Sequence, residues 1–143
     1  MGVLAIDPGT RKTGFAYVDR LRIATVPLEA VRTDGDDEAL LDHIGTQLAE
    51  RDVELLLIGV PLDPNGEDTE RSLAVRALIT RMNARFPGLE TVTYDEHGTT
   101  KEAESRLREA GYSGREARTR KDSWAALVLL EDWLGAGEPR ARS

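Results

Sequence analysis

The chain has 143 residues and 15.7 kDa, enough for one sizeable core and too little for two ordinary domains. It has no cysteine, which excludes disulfides, thiol nucleophiles, thiolate zinc sites and iron–sulfur clusters, and only two histidines, which excludes a three-imidazole metal site within one chain. Carboxylate chemistry with a hard cation such as Mg²⁺ or Mn²⁺ is what this inventory permits. The formal net charge of −7 weighs against indiscriminate binding of nucleic acid, so any such binding must come from basic residues gathered locally and from bound cations.

Val3 to Ile6 is an unbroken apolar run stopped by Asp7-Pro8-Gly9, the pattern of a strand buried on both faces. Phe15 to Val18 and Ile23 to Leu28 are two further predicted strands, joined at Asp19-Arg20. Leu40, Leu41, Ile44 and Leu48 recur at helical spacing after the polar segment 34–37, and Val53 to Val60 then reads as an inner parallel strand ended by Pro61. A polar loop, 63–68, leads to a long helix with Leu73, Ala77, Leu78 and Met82 on its apolar face, closing at Pro87-Gly88. Thr91 to Tyr94 is the fifth strand. The next helix is expected to start in a capping box with Thr99 at the N-cap, to bury Ala103, Leu107 and Ala110, and to stop at Gly111. A basic connector follows, then a last apolar helix from Asp122 to Leu134, with 135–143 expected to be a flexible tail. Residues 1–143 thus read as one α/β domain with a five-stranded mixed sheet, a three-strand meander followed by helical crossovers, and helices on both faces. No apolar run approaches the roughly 20 residues of a membrane span, and no export signal or lipid anchor is apparent, so a cytoplasmic protein is expected.

Three acids stand at predicted element ends. Asp7 closes the first strand, at the rim where parallel α/β sheets gather their sites, although Asp-Pro-Gly is also ordinary turn chemistry. Period two puts Val92, Tyr94 and Glu96 on one face, which favours Glu96 over Asp95 as a working acid, against the plain alternative of a solvated strand end. Asp122 is spaced with Ala126, Leu129 and Trp133 and would share their buried stripe, but it could equally serve as an N-cap or first-turn acid. If the topology brings the three together they would repel one another unless a cation intervenes, and two divalent ions roughly 4 Å apart would suit in-line hydrolysis of a phosphodiester. Basic residues flank two of the acids: Arg11 and Lys12 after Asp7, and Arg115, Arg118, Arg120 and Lys121 before Asp122. These, with Thr10, are the candidate nucleic-acid contacts, each otherwise a solvated charge or turn residue. Trp124 and Trp133 read as packing residues, and Tyr112 is the aromatic best placed for base stacking.

Ala5 to Gly14, Ile58-Gly59-Val60-Pro61-Leu62, Asp95 to Thr100 with Glu102-Ala103-Glu104, and Lys121 to Ala126 together resemble the YqgF family, whose members are similar to RuvC Holliday junction resolvases. The resemblance spans nearly the whole chain. It implies a ribonuclease H-like fold, a nuclease dependent on Mg²⁺ or Mn²⁺, and an acid triad at the positions of Asp7, Glu96 and Asp122. Two roles are assigned within that family, 5′-end trimming of pre-16S ribosomal RNA and resolution of branched DNA, and a two-fold symmetric junction would call for a homodimer. His97 and Gly98 depart from the family's usual Arg and Leu after the Glu, and Lys121 from its usual aliphatic residue, which places substrate preference near Glu96 in question. Two rivals share these features. One is an ATP-binding protein of the actin, Hsp70 and sugar-kinase type, which needs a second domain to enclose its nucleotide; the other is a non-catalytic RNA- or protein-binding assembly module.

Overall fold

The computed structural model describes residues 2–95 and 98–140. The chain opens with β1 (Gly2–Pro8), β2 (Lys12–Val18) and β3 (Thr25–Arg32), and continues through α1 (Asp37–Glu50), β4 (Val53–Val60), α2 (Glu70–Arg85), β5 (Glu90–Asp95), α3 (Thr99–Glu109) and α4 (Gly114–Gly135). The sheet order is β3-β2-β1-β4-β5, antiparallel across the meander and parallel from β1 through β4 to β5. This is the five-stranded mixed sheet expected from the order of elements.

Both faces of the sheet are covered, which is why its central strands read as continuous apolar runs. Leu4, Ile6, Phe15, Leu56 and Ile58 pack with Leu40, Leu41 and Ile44 of α1 and Val75, Leu78, Ile79 and Met82 of α2. Val3, Ala5, Ala16, Val18, Leu55, Leu57 and Val92 pack with Ala126, Leu129, Leu130 and Trp133 of α4. Successive residues of a strand point to opposite faces, so in β1 the odd positions look toward α4 and the even ones toward α1 and α2. No helix among the described residues is long and apolar enough to cross a membrane.

Trp133 is fully buried, and its indole Nε1 donates to the Pro139 carbonyl at 2.9 Å. The segment expected to be a loose tail is therefore engaged over its described part. Glu138 accepts from Arg22 at 3.2 and 3.3 Å, and Arg140 lies over the Trp133 ring and pairs with Glu90 at 3.4 Å. Trp133→Ala would empty the centre of this face and should cost about 3–5 kcal/mol. Trp133→Phe, which loses the hydrogen bond but keeps most of the volume, should cost clearly less. Urea unfolding of the two variants checks the order.

Several expectations are corrected. β3 runs from Thr25 to Arg32, not Ile23 to Leu28, and Ile23 is 76% exposed. The link before it is longer than a two-residue hairpin because the Asp19 carboxylate accepts from the backbone N–H groups of Leu21 and Ile23 and holds them in a loop. In α2 the buried stripe is Ser72, Val75, Leu78, Ile79 and Met82, leaving Leu73 57% exposed and Ala77 exposed. α3 begins after Gly98, whose φ is +67°, so Thr99 is a buried first-turn residue rather than the N-cap, and Ala110 is an exposed C-cap. The largest change is in α4. The expected basic connector forms its first two turns, with Ser113 as N-cap, so Asp122 lies inside the helix instead of opening it.

α3 and α4 are clasped by Glu131, which accepts from Arg106 of α3 and, at 3.1 Å, from Thr25 of β3. The hydrogen bond to Glu131 raises the Arg106 pKa above its ordinary value. Burial beside this clasp pushes the Asp132 carboxyl up.

Candidate nuclease site

Asp7 is half-buried near the end of β1, and alternation from Val3 and Ala5 puts it on the face that α4 covers. Across the ladder it is paired with Gly14 of β2. Gly14 in turn lies directly under α4: a Cβ there would sit 1.9 Å from the Asp122 carbonyl oxygen and 2.5 Å from its carbon. One ladder pair and one backbone contact therefore join Asp7 to Asp122, residues 115 positions apart in sequence (122 − 7). Only a glycine permits this approach, because any side chain would push the helix off the strand.

The placement of Asp122 removes its plain reading. A residue two turns inside a helix caps nothing, and Asp is a poor helix former there because its carboxylate competes for backbone hydrogen bonds. Its side chain is 29% exposed, and Lys12 Nζ stands 4.0 Å from Oδ2. Neither capping nor packing accounts for a carboxylate at this position.

Beside it is a cavity of about 330 Å³ lined by Gly9, Thr10, Arg11, Lys12, Arg32, Arg118, Lys121 and Asp122. Five of the eight lining residues are cationic. Arg32 is tied to Asp34 at 2.8 Å, whereas Arg11, Arg118 and Lys121 make no ion pair among the described residues. The contrast with the opposite face is plain: Arg81 and Arg85 of α2 are neutralised there by Asp37, Glu38 and Asp42 of α1. The negative total charge is thus unevenly laid out, and three of the cations without an ion pair among the described residues, Arg11, Arg118 and Lys121, stand next to Asp122.

Of the predicted site residues, Thr10, Arg11, Lys12, Arg118, Lys121 and Asp122 share this cavity. Arg120 lines a neighbouring cleft of about 540 Å³ together with Lys12 and Arg32, while Arg115 lies exposed in the first turn of α4. Glu96 and His97 lie outside the described residues. Among the described residues no three His, Cys, Asp or Glu side chains cluster as a metal site would. Sequence reasoning missed Arg32, which pairs in register with Lys12; running the third strand on to Arg32 would have found it. It also missed Gly14, whose importance lies wholly in what packs on it.

A five-stranded mixed sheet with helices on both faces, a carboxylate at the end of its central strand and a second carboxylate on the helix above define a ribonuclease H-like domain. The same fold is seen in Thermus thermophilus RuvC in complex with Holliday junction substrate, with a TM-score of 0.60 over 98% of both chains at 16% identity. Residues 1–136 match the RuvX family, described as Holliday junction resolvase, and the chain belongs to that family. A relative from Anaeromyxobacter sp. (strain Fw109-5) is 38% identical over 94% of this chain and 96% of its own length. Another, from Anaeromyxobacter dehalogenans, is 34% identical over 97% of this chain and its own full length. Both carry the name "Putative pre-16S rRNA nuclease".

Proposed function

We propose that the chain is a metal-dependent nuclease that hydrolyses phosphodiester bonds in structured nucleic acid in the cytoplasm, with Asp7, Glu96 and Asp122 as its working carboxylates. The observation that carries this reading is the approach of Asp7 and Asp122 across Gly14, beside a cavity lined by five cationic side chains. The names of the relatives point to 5′-end processing of pre-16S ribosomal RNA, and the description of the family to branched DNA such as Holliday junctions, for which a homodimer would present two sites.

The donors fit a hard divalent cation: Asp7 and Asp122 offer only oxygen, the chain has no thiolate, and Asp122 has no capping role within its helix. Asp7, Asp122 and Glu96 would hold Mg²⁺ or Mn²⁺, which supplies Lewis-acid stabilisation of the phosphoryl oxygens and activation of the attacking water. The chain's own contribution is binding and orientation. Arg11, Arg118 and Lys121 attract the phosphate backbone into the cavity and fix it by charge-assisted hydrogen bonds, with Thr10 as a neutral donor. Lys12, near Asp122, balances that carboxylate so that it does not repel the incoming phosphate.

The test is cleavage of structured RNA and of four-way DNA junctions by the purified protein with Mg²⁺ or Mn²⁺. Cutting of either supports the reading, and cutting of neither overturns it. The cationic cavity has its own signature. Arg118→Ala or Lys121→Ala should weaken nucleic-acid binding across sequences and make the slope of log affinity against log salt shallower by about one. Titrations at a series of salt concentrations measure that slope.

A further inference from the structure

We infer that Tyr112 is a stacking platform for an unpaired base, so that the site holds a single-stranded segment of its substrate next to the place of cleavage. The inference rests on the nucleic-acid reading above and adds to it the form of the substrate.

Tyr112 follows α3 but is not a free loop residue. Gly111, with φ +91°, donates to the Arg108 carbonyl at 3.0 Å, and the Tyr112 N–H donates to the Leu107 carbonyl at 2.9 Å. Those two bonds are a Schellman motif, which fixes the backbone of the residue after the glycine and packs its side chain on the last turn. The ring is held from two further directions. The Arg120 guanidinium lies over it, 4.2 Å from the centroid, and Trp124 meets it edge-on at 6.0 Å and 84°. A tyrosine immobilised in this way has already lost the freedom that stacking would otherwise cost.

Tyr112 lines a cavity of about 330 Å³ together with Leu107 and Ala117, and the cavity's cations are Arg108, Arg118 and Lys121, against one acid, Glu104. Arg108, Arg118 and Lys121 make no ion pair among the described residues. Arg118 and Lys121 also line the cavity beside Asp122, so one cationic path joins the carboxylates to the tyrosine. Cations that track a backbone, interleaved with a rigid aromatic, are what single-stranded nucleic acid requires. A duplex keeps its base faces inside the stack and has none to offer a ring within a cavity; an unpaired nucleotide can turn its base onto Tyr112 while its phosphates follow Lys121 and Arg118.

The experiment measures binding of a fluorescein-labelled 12-nucleotide oligouridine and of a blunt RNA duplex of equal length, both in EDTA so that nothing is cut. Tyr112→Ala should weaken oligouridine binding about 5- to 150-fold, the equivalent of the roughly 1–3 kcal/mol of one stacked base, and change duplex binding less than about twofold. Tyr112→Phe, which keeps the ring, should bind like wild type. An oligonucleotide carrying 5-iodouridine, irradiated on the wild-type protein, should form its adduct on Tyr112. Equal losses for both ligands, no loss for either, or adducts confined to other residues would overturn the inference. Cleavage by Asp7→Asn separates the two readings. If that variant cuts normally while Tyr112→Ala selectively loses oligouridine, the platform stands and the triad falls. If it is inactive while Tyr112→Ala binds both ligands like wild type, the reverse holds.

Discussion

Asp7→Asn should lower the rate of phosphodiester cleavage about a thousandfold or more and leave the fold intact. The substitution keeps shape and volume, so the strand-end geometry and the pairing of residue 7 with Gly14 need not change. What it removes is a negative charge facing α4 on a half-buried strand end, where a divalent cation would otherwise be held. Loss of a metal ligand weakens both ion binding and the stabilisation of charge at phosphorus, and a few kcal/mol of lost transition-state stabilisation corresponds to a rate change of that size. Binding of nucleic acid in EDTA should be equal or tighter, because one repulsive charge has gone from beside the phosphate cavity. Cleavage at the wild-type rate would instead make Asp7 an ordinary turn residue. Activity with Mn²⁺ and thermal unfolding of the same preparation, measured side by side, separate a chemical defect from a folding one.

Gly14→Ala should damage stability and catalysis together. The added methyl would meet the Asp122 carbonyl at 1.9 Å, and because its neighbour is helix backbone the strain cannot be relieved by turning a side chain. Either α4 lifts from β2 or the strand bends, at a cost of about 1–3 kcal/mol by comparison with other overpacked interiors. For a domain of this size that lowers the Tm by roughly 3–10 °C. The movement also carries Asp122 away from Asp7, and a displacement of about 1 Å at a catalytic group costs on the order of a hundredfold in rate. Gly135→Ala is the matched control: a Cβ there meets nothing within 4 Å, so it should be neutral or mildly stabilising. Full activity in Gly14→Ala at an unchanged Tm would show that the contact between α4 and β2 does not set the distance between the two acids.

Much of the architecture could be read from local patterns. The apolar runs of β1 and β4 and the spacing of Leu40, Leu41 and Ile44 each report burial of their own segment, and burial is what makes such segments regular. Boundaries were less legible because contacts from elsewhere decide them. β3 runs on to Arg32 because β2 offers Lys12 and Thr13 as ladder partners, and α4 starts at Gly114 although its first two turns contribute no residue to the core beneath α4. Leu73 shows the converse error: an apolar residue at acceptable spacing that the packing of α2 leaves in solvent.

Composition and order alone determined the class of fold, the absence of thiol chemistry, and the candidacy of Asp7, Glu96 and Asp122, since hydrophobic period and residue inventory are properties of the chain itself. The proximity of Asp7 to Asp122, the loss of any capping role for Asp122, and the gathering of Arg11, Arg32, Arg118 and Lys121 into one cavity were decided only by the tertiary structure. The physical reason is that these depend on one close backbone approach at Gly14, where a hydrogen atom in place of a side chain lets a helix rest on a strand. No local pattern in the sequence records what a glycine will have packed against it.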